Sequence, residues 1–174
     1  MLEKYLGDSY DIVKRFWAER LGTIAPLFGH PRFVAASLRP AFEKMVNIPI
    51  LDPNEPRAEA FGLLLDPHTG IPLPTTAMQK ATPSHAPVSL IVEELQRLSP
   101  KYLICFDQSH DRSSSLGLAE QHAQKQTELQ KENISSFYYV SHAPFLFASR
   151  EVHVLDLVRS HLVDSGIPDS RLAP

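Results

Sequence analysis

Residues Phe61-Gly62-Leu63-Leu64-Leu65-Asp66-Pro67-His68-Thr69-Gly70 decide how this chain is read. An apolar run ends abruptly in Asp-Pro and then in a polar His-Thr-Gly. A short apolar run bounded by turn residues reads as a strand buried on both faces, as in a parallel sheet. Its last residue is then a carboxylate at the carboxyl end of a strand, where open α/β sheets hold their ligands. The pattern returns at Tyr102-Leu103-Ile104-Cys105-Phe106-Asp107-Gln108-Ser109, and more loosely at Phe137-Tyr138-Tyr139-Val140-Ser141-His142. Three strand ends thus offer Asp66, Asp107 and His142 to one rim. The pattern locates a site without naming a reaction.

Between these strands the periodicity changes from two to helical. Pro87 opens a helix whose Val88, Ile91, Val92, Leu95 and Leu98 form one stripe before Ser99-Pro100 ends it. A helix from about Leu116 to Glu132 carries only Leu116, Ala119, Ala123 and Leu129 as an apolar edge, so it should lie outermost with most of its girth in water. His122 and His161 read as surface or boundary residues. Phe137–Val140 and Phe145–Phe147 form the two arms of a possible hairpin. A last helix follows Ser149, with Val152, Leu155, Val158 and Leu162 facing inward.

Upstream, Asp8 or Ser9 caps a first helix, and Asp11 in its first turn suits the helix dipole. Ile12, Val13, Phe16, Trp17, Leu21 and Ile24 follow helical spacing, and Lys14 and Arg15 read as a solvated edge rather than an anion site. Lys4-Tyr5-Leu6 is a short extended entry. Pro26–Pro31 reads as a loop, Arg32–Ala35 as a strand, Pro40–Val46 as a short helix with proline in its first turn, and Asp52–Pro56 as a turn. Residues 67–86 form a long Pro- and Thr-rich connection of the kind that often carries function. From residue 61 onward, strands alternate with helices, which implies right-handed crossovers. The expected fold is a single α/β domain over residues 1–174: three layers, Rossmann-like, with a mostly parallel sheet and a C-terminal hairpin.

The composition sets bounds. A chain of 174 residues is long enough to bury roughly 70% of its unfolded surface. A formal charge of −3 supplies no overall attraction to nucleic acid or to an anionic membrane, although a local patch can still do so. The single Cys105 has no partner for an intrachain disulfide, which favours a reduced, cytoplasmic setting. No apolar run approaches membrane-spanning length, and no membrane association is expected.

Two motifs resemble those of a known class. Asp66-Pro67-His68-Thr69 stands where Rossmann-type amino methyltransferases carry Asp-Pro-Pro-Tyr. Gly7-Asp8-Ser9-Tyr10-Asp11-Ile12-Val13-Lys14-Arg15 is similar to the Gly-Asn-x-Ala-Asp-Val-x-Lys-His opening of a family that methylates adenine N6 in large-subunit ribosomal RNA. The resemblance implies a Rossmann-type fold and a site for S-adenosylmethionine and a flipped base at the strand ends. Two departures qualify what it implies. No Gly-x-Gly turn follows a first strand, where backbone amides would meet the cofactor, and Thr69 replaces the aromatic that stacks on the base. The expectation is therefore a methyltransferase-like protein that recognises a nucleotide or nucleic acid without transferring methyl.

Asp66 and Asp107 are the candidate catalytic residues. Asp8, Asp11, Lys14, His68, Thr69, Gln108 and His142 are candidate binding residues. Asp66 has a structural alternative, since a strand-end carboxylate can cap the following turn. A second functional reading is a metal-dependent phosphodiesterase or nuclease, with Asp66, Asp107 and His110 or Asp111 as ligands, although the spacing fits no strong metal motif. Gly-x-Ser-x-Gly and Gly-x4-Gly-Lys-Ser/Thr are both missing. Both readings need Asp66 and Asp107 on neighbouring strands at one sheet edge, close enough to recruit a cation or a donor such as Lys14 or Arg112.

Overall fold

The computed structural model describes residues 6–52, 59–75 and 82–174. Most of the expected entry at Lys4-Tyr5-Leu6, the Pro53–Pro56 part of the expected turn and residues 76–81 of the long connection lie outside them.

The described residues form an α/β fold with five α-helices and a six-stranded mixed sheet: α1 (Ser9–Leu21), β1 (Leu27–Gly29), α2 (Arg39–Val46), β2 (Gly62–Leu65), α3 (Val88–Arg97), β3 (Tyr102–Phe106), α4 (Leu118–Lys131), β4 (Ser135–Tyr139), β5 (Phe145–Ser149), α5 (Val152–Asp164) and β6 (Leu172–Ala173). The strand order is β1-β2-β3-β5-β4-β6. β1, β2 and β3 are parallel neighbours, with Leu63 opposite Leu103 and Leu65 opposite Cys105. The expected hairpin is present as β4 and β5, but its second arm inserts between β3 and β4 and runs antiparallel to both. β6 is also antiparallel to β4, so the carboxyl-terminal part of the sheet departs from the expected parallel pairing.

Strand alternation builds two cores. Leu64, Tyr102, Ile104, Phe106, Phe137, Phe145 and Phe147 point to one side, where Trp17 and Leu21 of α1, Phe42 and Val46 of α2 and Val158 and Leu162 of α5 cover them. Leu63, Leu65, Leu103, Cys105, Tyr138 and Leu146 point to the other side, against Ile91 and Leu95 of α3 and Leu129 of α4. Burying a large apolar side chain contributes roughly 1.5–3 kcal/mol, so these two clusters dominate what holds the fold together.

Three readings of periodicity are corrected. Arg32–Ala35 is not a strand; the strand is Leu27–Gly29, inside the segment read as a loop, because its backbone pairs with Gly62–Leu64. Tertiary pairing decided a segment too short and proline-rich for propensity to read. On α1, Ile12 is 69% exposed while Asp11 and Lys14 are buried. On α4, Leu118 and Ala119 face out, and the inward residues are Gln121, His122, Lys125 and Leu129. Both helices turn polar side chains inward near the strand ends, where buried polar groups wait for partners.

Candidate functional site

The site begins with register. Leu65 pairs with Cys105, and each strand ends one residue before its aspartate: β2 stops at Leu65, while β3 runs one residue past that pair to Phe106. Asp66 and Asp107 therefore follow neighbouring strands at the same edge, as expected, but out of step by one residue. Because the side-chain period is two, that single step sends them to opposite faces. Asp66 continues the Leu64 series toward α1, and Asp107 continues the Cys105 series toward α4. They do not form one paired-carboxylate centre.

On the α1 face, Asp66 meets Lys14. Lys14 Nζ donates to Asp66 Oδ2 at 2.8 Å and to Asp11 Oδ1 at 2.9 Å, and all three residues are buried. Lys14 is thus no solvated edge. Burial alone would draw its pKa down, but the charges of Asp66 and Asp11 outweigh burial and hold it above the ordinary lysine value. Beneath this trio, Asp8 caps α1 by accepting from the Tyr10 and Asp11 amides, and the Gly7 amide donates to Asp11 Oδ2 at 2.7 Å. The local sequence Gly-Asp-Ser-Tyr-Asp-x-x-Lys therefore places the ammonium one turn inside the helix, aimed at the end of β2.

A cleft of about 250 Å³ opens over this trio, lined by Asp8, Tyr10, Lys14, Asp66, Pro67, His68, Phe106 and Gln108. Tyr10 packs against Phe106 at 5.3 Å between ring centroids and against His142 at 5.9 Å. Gln108 Nε2 donates to the Tyr10 hydroxyl at 2.8 Å. Burial lowers the pKa of His68, so its ring is neutral near pH 7. Of the expected residues, Asp8, Lys14, Asp66, His68 and Gln108 line the cleft, Asp11 holds Lys14 from below, and His142 braces Tyr10 from an exposed position. Thr69 instead lines a second cleft on the α4 side, with His85, Ser109, His110 and Gln121 among its walls.

Asp107 is fully buried and fully occupied. Its Oδ1 accepts from the Ile71 amide at 2.8 Å and from the Ser109 amide and hydroxyl; its Oδ2 accepts from Lys125 Nζ at 2.7 Å and the Tyr138 hydroxyl at 2.8 Å. Lys125 has no exposed side-chain surface either. A carboxylate with its lone pairs so used is a structural hub with none left for a cation. The donor is Lys125, not Arg112. Among the described residues, no group of three or more His, Cys, Asp or Glu side chains is placed to hold a metal ion. The paired-carboxylate metal reading loses its geometric basis. His122, expected at the surface, stacks on the Tyr138 ring at 3.9 Å and is buried.

The end of β1 carries a third pairing that the sequence reading missed. The Arg32 amide donates to His30 Nδ1 at 3.1 Å, which leaves the Nε2 proton for Glu94 Oε1 at 3.4 Å. His30, Phe33 and Val34 are all buried there, so bulky side chains fill the space after the first strand.

Missed on the cleft itself were Tyr10 and Phe106, counted only as helix and strand residues. Missed on the other face were Lys125 and Tyr138. A usable signal existed: Gln121, Lys125 and Leu129 recur every four residues on a helix whose apolar edge is otherwise thin. No helix among the described residues is long and apolar enough to cross a membrane. Comparison with protein-family models, with curated proteins and with solved structures finds no match to this chain.

Proposed function

We propose that this protein is a methyltransferase-like, three-layer Rossmann-like domain that binds a nucleotide, or a nucleotide of a nucleic acid, at the strand carboxyl edge and transfers no methyl group. The observation that carries this reading is the junction of Lys14 with Asp66 at 2.8 Å. The two sequence motifs that resemble the amino methyltransferases lie 52 residues apart in the chain, and they meet at the mouth of one cleft. The element order from β2 to the β4–β5 hairpin agrees with the same resemblance, as do helices packed against both faces of the sheet.

The cleft suits a base. Tyr10, His68 and Phe106 bring aromatic rings to its wall, and Asp66 and Gln108 bring acceptors for a ring-edge donor. Its volume of about 250 Å³ falls below the ~300 Å³ at which pockets for drug-sized ligands begin. That is room for one ring system rather than for S-adenosylmethionine entire. The absence of transfer is supported at the end of β1, where His30 and Phe33 fill the place a glycine-rich turn would keep open. The lone, buried Cys105 fits the cytoplasmic setting proposed with this function.

The test is calorimetry with adenosine, guanosine, a short single-stranded RNA and S-adenosylmethionine. The reading predicts heat with a nucleoside or the RNA, lost in Tyr10→Ala, and none with S-adenosylmethionine. Tight binding of S-adenosylmethionine together with methyl transfer to RNA would overturn it.

A further inference from the structure

The Asp107–Lys125–Tyr138 network is closed to solvent. The second cleft gathers His85, His110 and Asp111, yet no metal-holding group forms among the described residues. The first cleft carries an argument about the charge of its ligand.

We infer that the cleft takes a cationic aromatic ring, the N-methylated purinium of a nucleoside such as 7-methylguanosine or 1-methyladenosine, in preference to the neutral parent base. The inference rests on the proposed nucleobase binding and deepens it. Its first support is charge. Asp8 and Asp66 line the cleft and Asp11 lies directly below, against the single ammonium of Lys14 among the described lining residues. Lys14 is engaged by both Asp11 and Asp66 at hydrogen-bond distance, so its charge is spent within the wall. What remains in the described wall is an excess of carboxylate over ammonium, which attracts a cation.

The second support is an open acceptor. Asp66 is only 6% exposed, and Lys14 uses its Oδ2. Its Oδ1 receives no hydrogen bond from a described residue, and the residue lines the cleft. A carboxylate oxygen on the cleft wall with no donor from a described residue is free to accept from a ligand that brings one.

The third support is aromatic. Tyr10 is held by Gln108 through its hydroxyl and by Phe106 and His142 through its ring. Electron-rich aromatic rings beside carboxylates attract a delocalised cation. A quaternary ammonium would use the ring faces but has no N–H for Asp66 Oδ1. A neutral purine has the N–H but not the charge. An N-methylated purinium has both, on one flat ring system of a size the cleft accepts.

The experiment is calorimetry of the full chain with 7-methylguanosine, 1-methyladenosine, guanosine, adenosine and tetramethylammonium. At least one methylated cationic nucleoside is expected to bind about tenfold tighter than its parent, a difference of roughly 1.4 kcal/mol, and tighter than tetramethylammonium. Asp8→Asn keeps the helix cap and should narrow that preference. Equal affinities for methylated and parent nucleosides would overturn the inference and leave nucleobase binding standing. Tetramethylammonium binding as tightly as the purinium would overturn the purine assignment. No heat with any nucleoside would overturn both the inference and the reading beneath it.

Discussion

Lys14 Nζ lies 2.8 Å from Asp66 Oδ2, joining the first helix to the end of β2, and the side chains are 5% and 7% exposed. Breaking a buried ion pair by removing one partner typically costs about 3–5 kcal/mol, because a charge is left buried without compensation. Lys14→Met should therefore lower stability by that order in denaturant unfolding, and adding Asp66→Asn should recover part of the loss. If Lys14→Met is within ~0.5 kcal/mol of wild type, the pair contributes nothing of note.

The same pair fixes a pH dependence. The Lys14 pKa is raised above its ordinary value of 10.5 in the folded protein. Its stabilisation is complete below that ordinary value and is lost as pH rises through the higher native one. Comparing wild type with Lys14→Met above pH 10.5 should show wild type losing stability more steeply. Parallel curves there would contradict the assignment.

Asp107 predicts coupling among its donors. Lys125→Met should cost about 3–5 kcal/mol, and Tyr138→Phe about 1.5–3 kcal/mol as a hydrogen bond to a charged group. Since both donate to Asp107 Oδ2, the double variant should deviate from additivity by about 0.5–3 kcal/mol. Strict additivity would mean the two act independently.

Gly70 is pinned against that hub. Its φ is +131°, and an added Cβ would lie 2.7 Å from Asp107 Cα and also meet Asp107 Oδ1. Gly166 has a φ of +93° with nothing within 4 Å, so it isolates backbone strain from collision. Gly70→Ala should destabilise by well over ~1 kcal/mol, and by more than Gly166→Ala. The reverse order would show that the 66–70 turn adapts freely.

His122 gives an acid-side signature. Burial pushes its pKa down from an ordinary 6.5 to about 4. The unfolded chain thus binds the proton first, so stability is complete above pH 6.5 and falls as pH drops toward 4. His122→Phe keeps a ring against Tyr138 and should flatten that slope. An unchanged slope would assign acid sensitivity elsewhere.

Much of the frame was legible because it follows from simple periods. The runs at 61–65 and 102–106 are apolar on both faces, which marks buried strands, and α3 between them buries Val88, Leu90, Ile91 and Leu95. What escaped the reading was parity. Counting carboxylates at strand ends put Asp66 and Asp107 together, whereas the pairing of Leu65 with Cys105 puts them on opposite faces. Register depends on partners that no single strand contains. Lys14 and Lys125 escaped for a related reason: each occupies an inward position where hydrophobic patterning records a defect, and only the aspartate opposite explains it. The Leu27–Gly29 strand was too short to carry any period.

The central claim, that the cleft over Lys14 and Asp66 binds a nucleobase, is tested most directly by mapping amide chemical shifts during titration with nucleosides. The account predicts saturable shifts clustered at Tyr10, Asp66, His68 and Gln108, abolished by Tyr10→Ala and absent at the buried Lys125. Shifts confined to His85, Ser109 and His110 of the second cleft, or no saturable shift with any nucleoside, would contradict it.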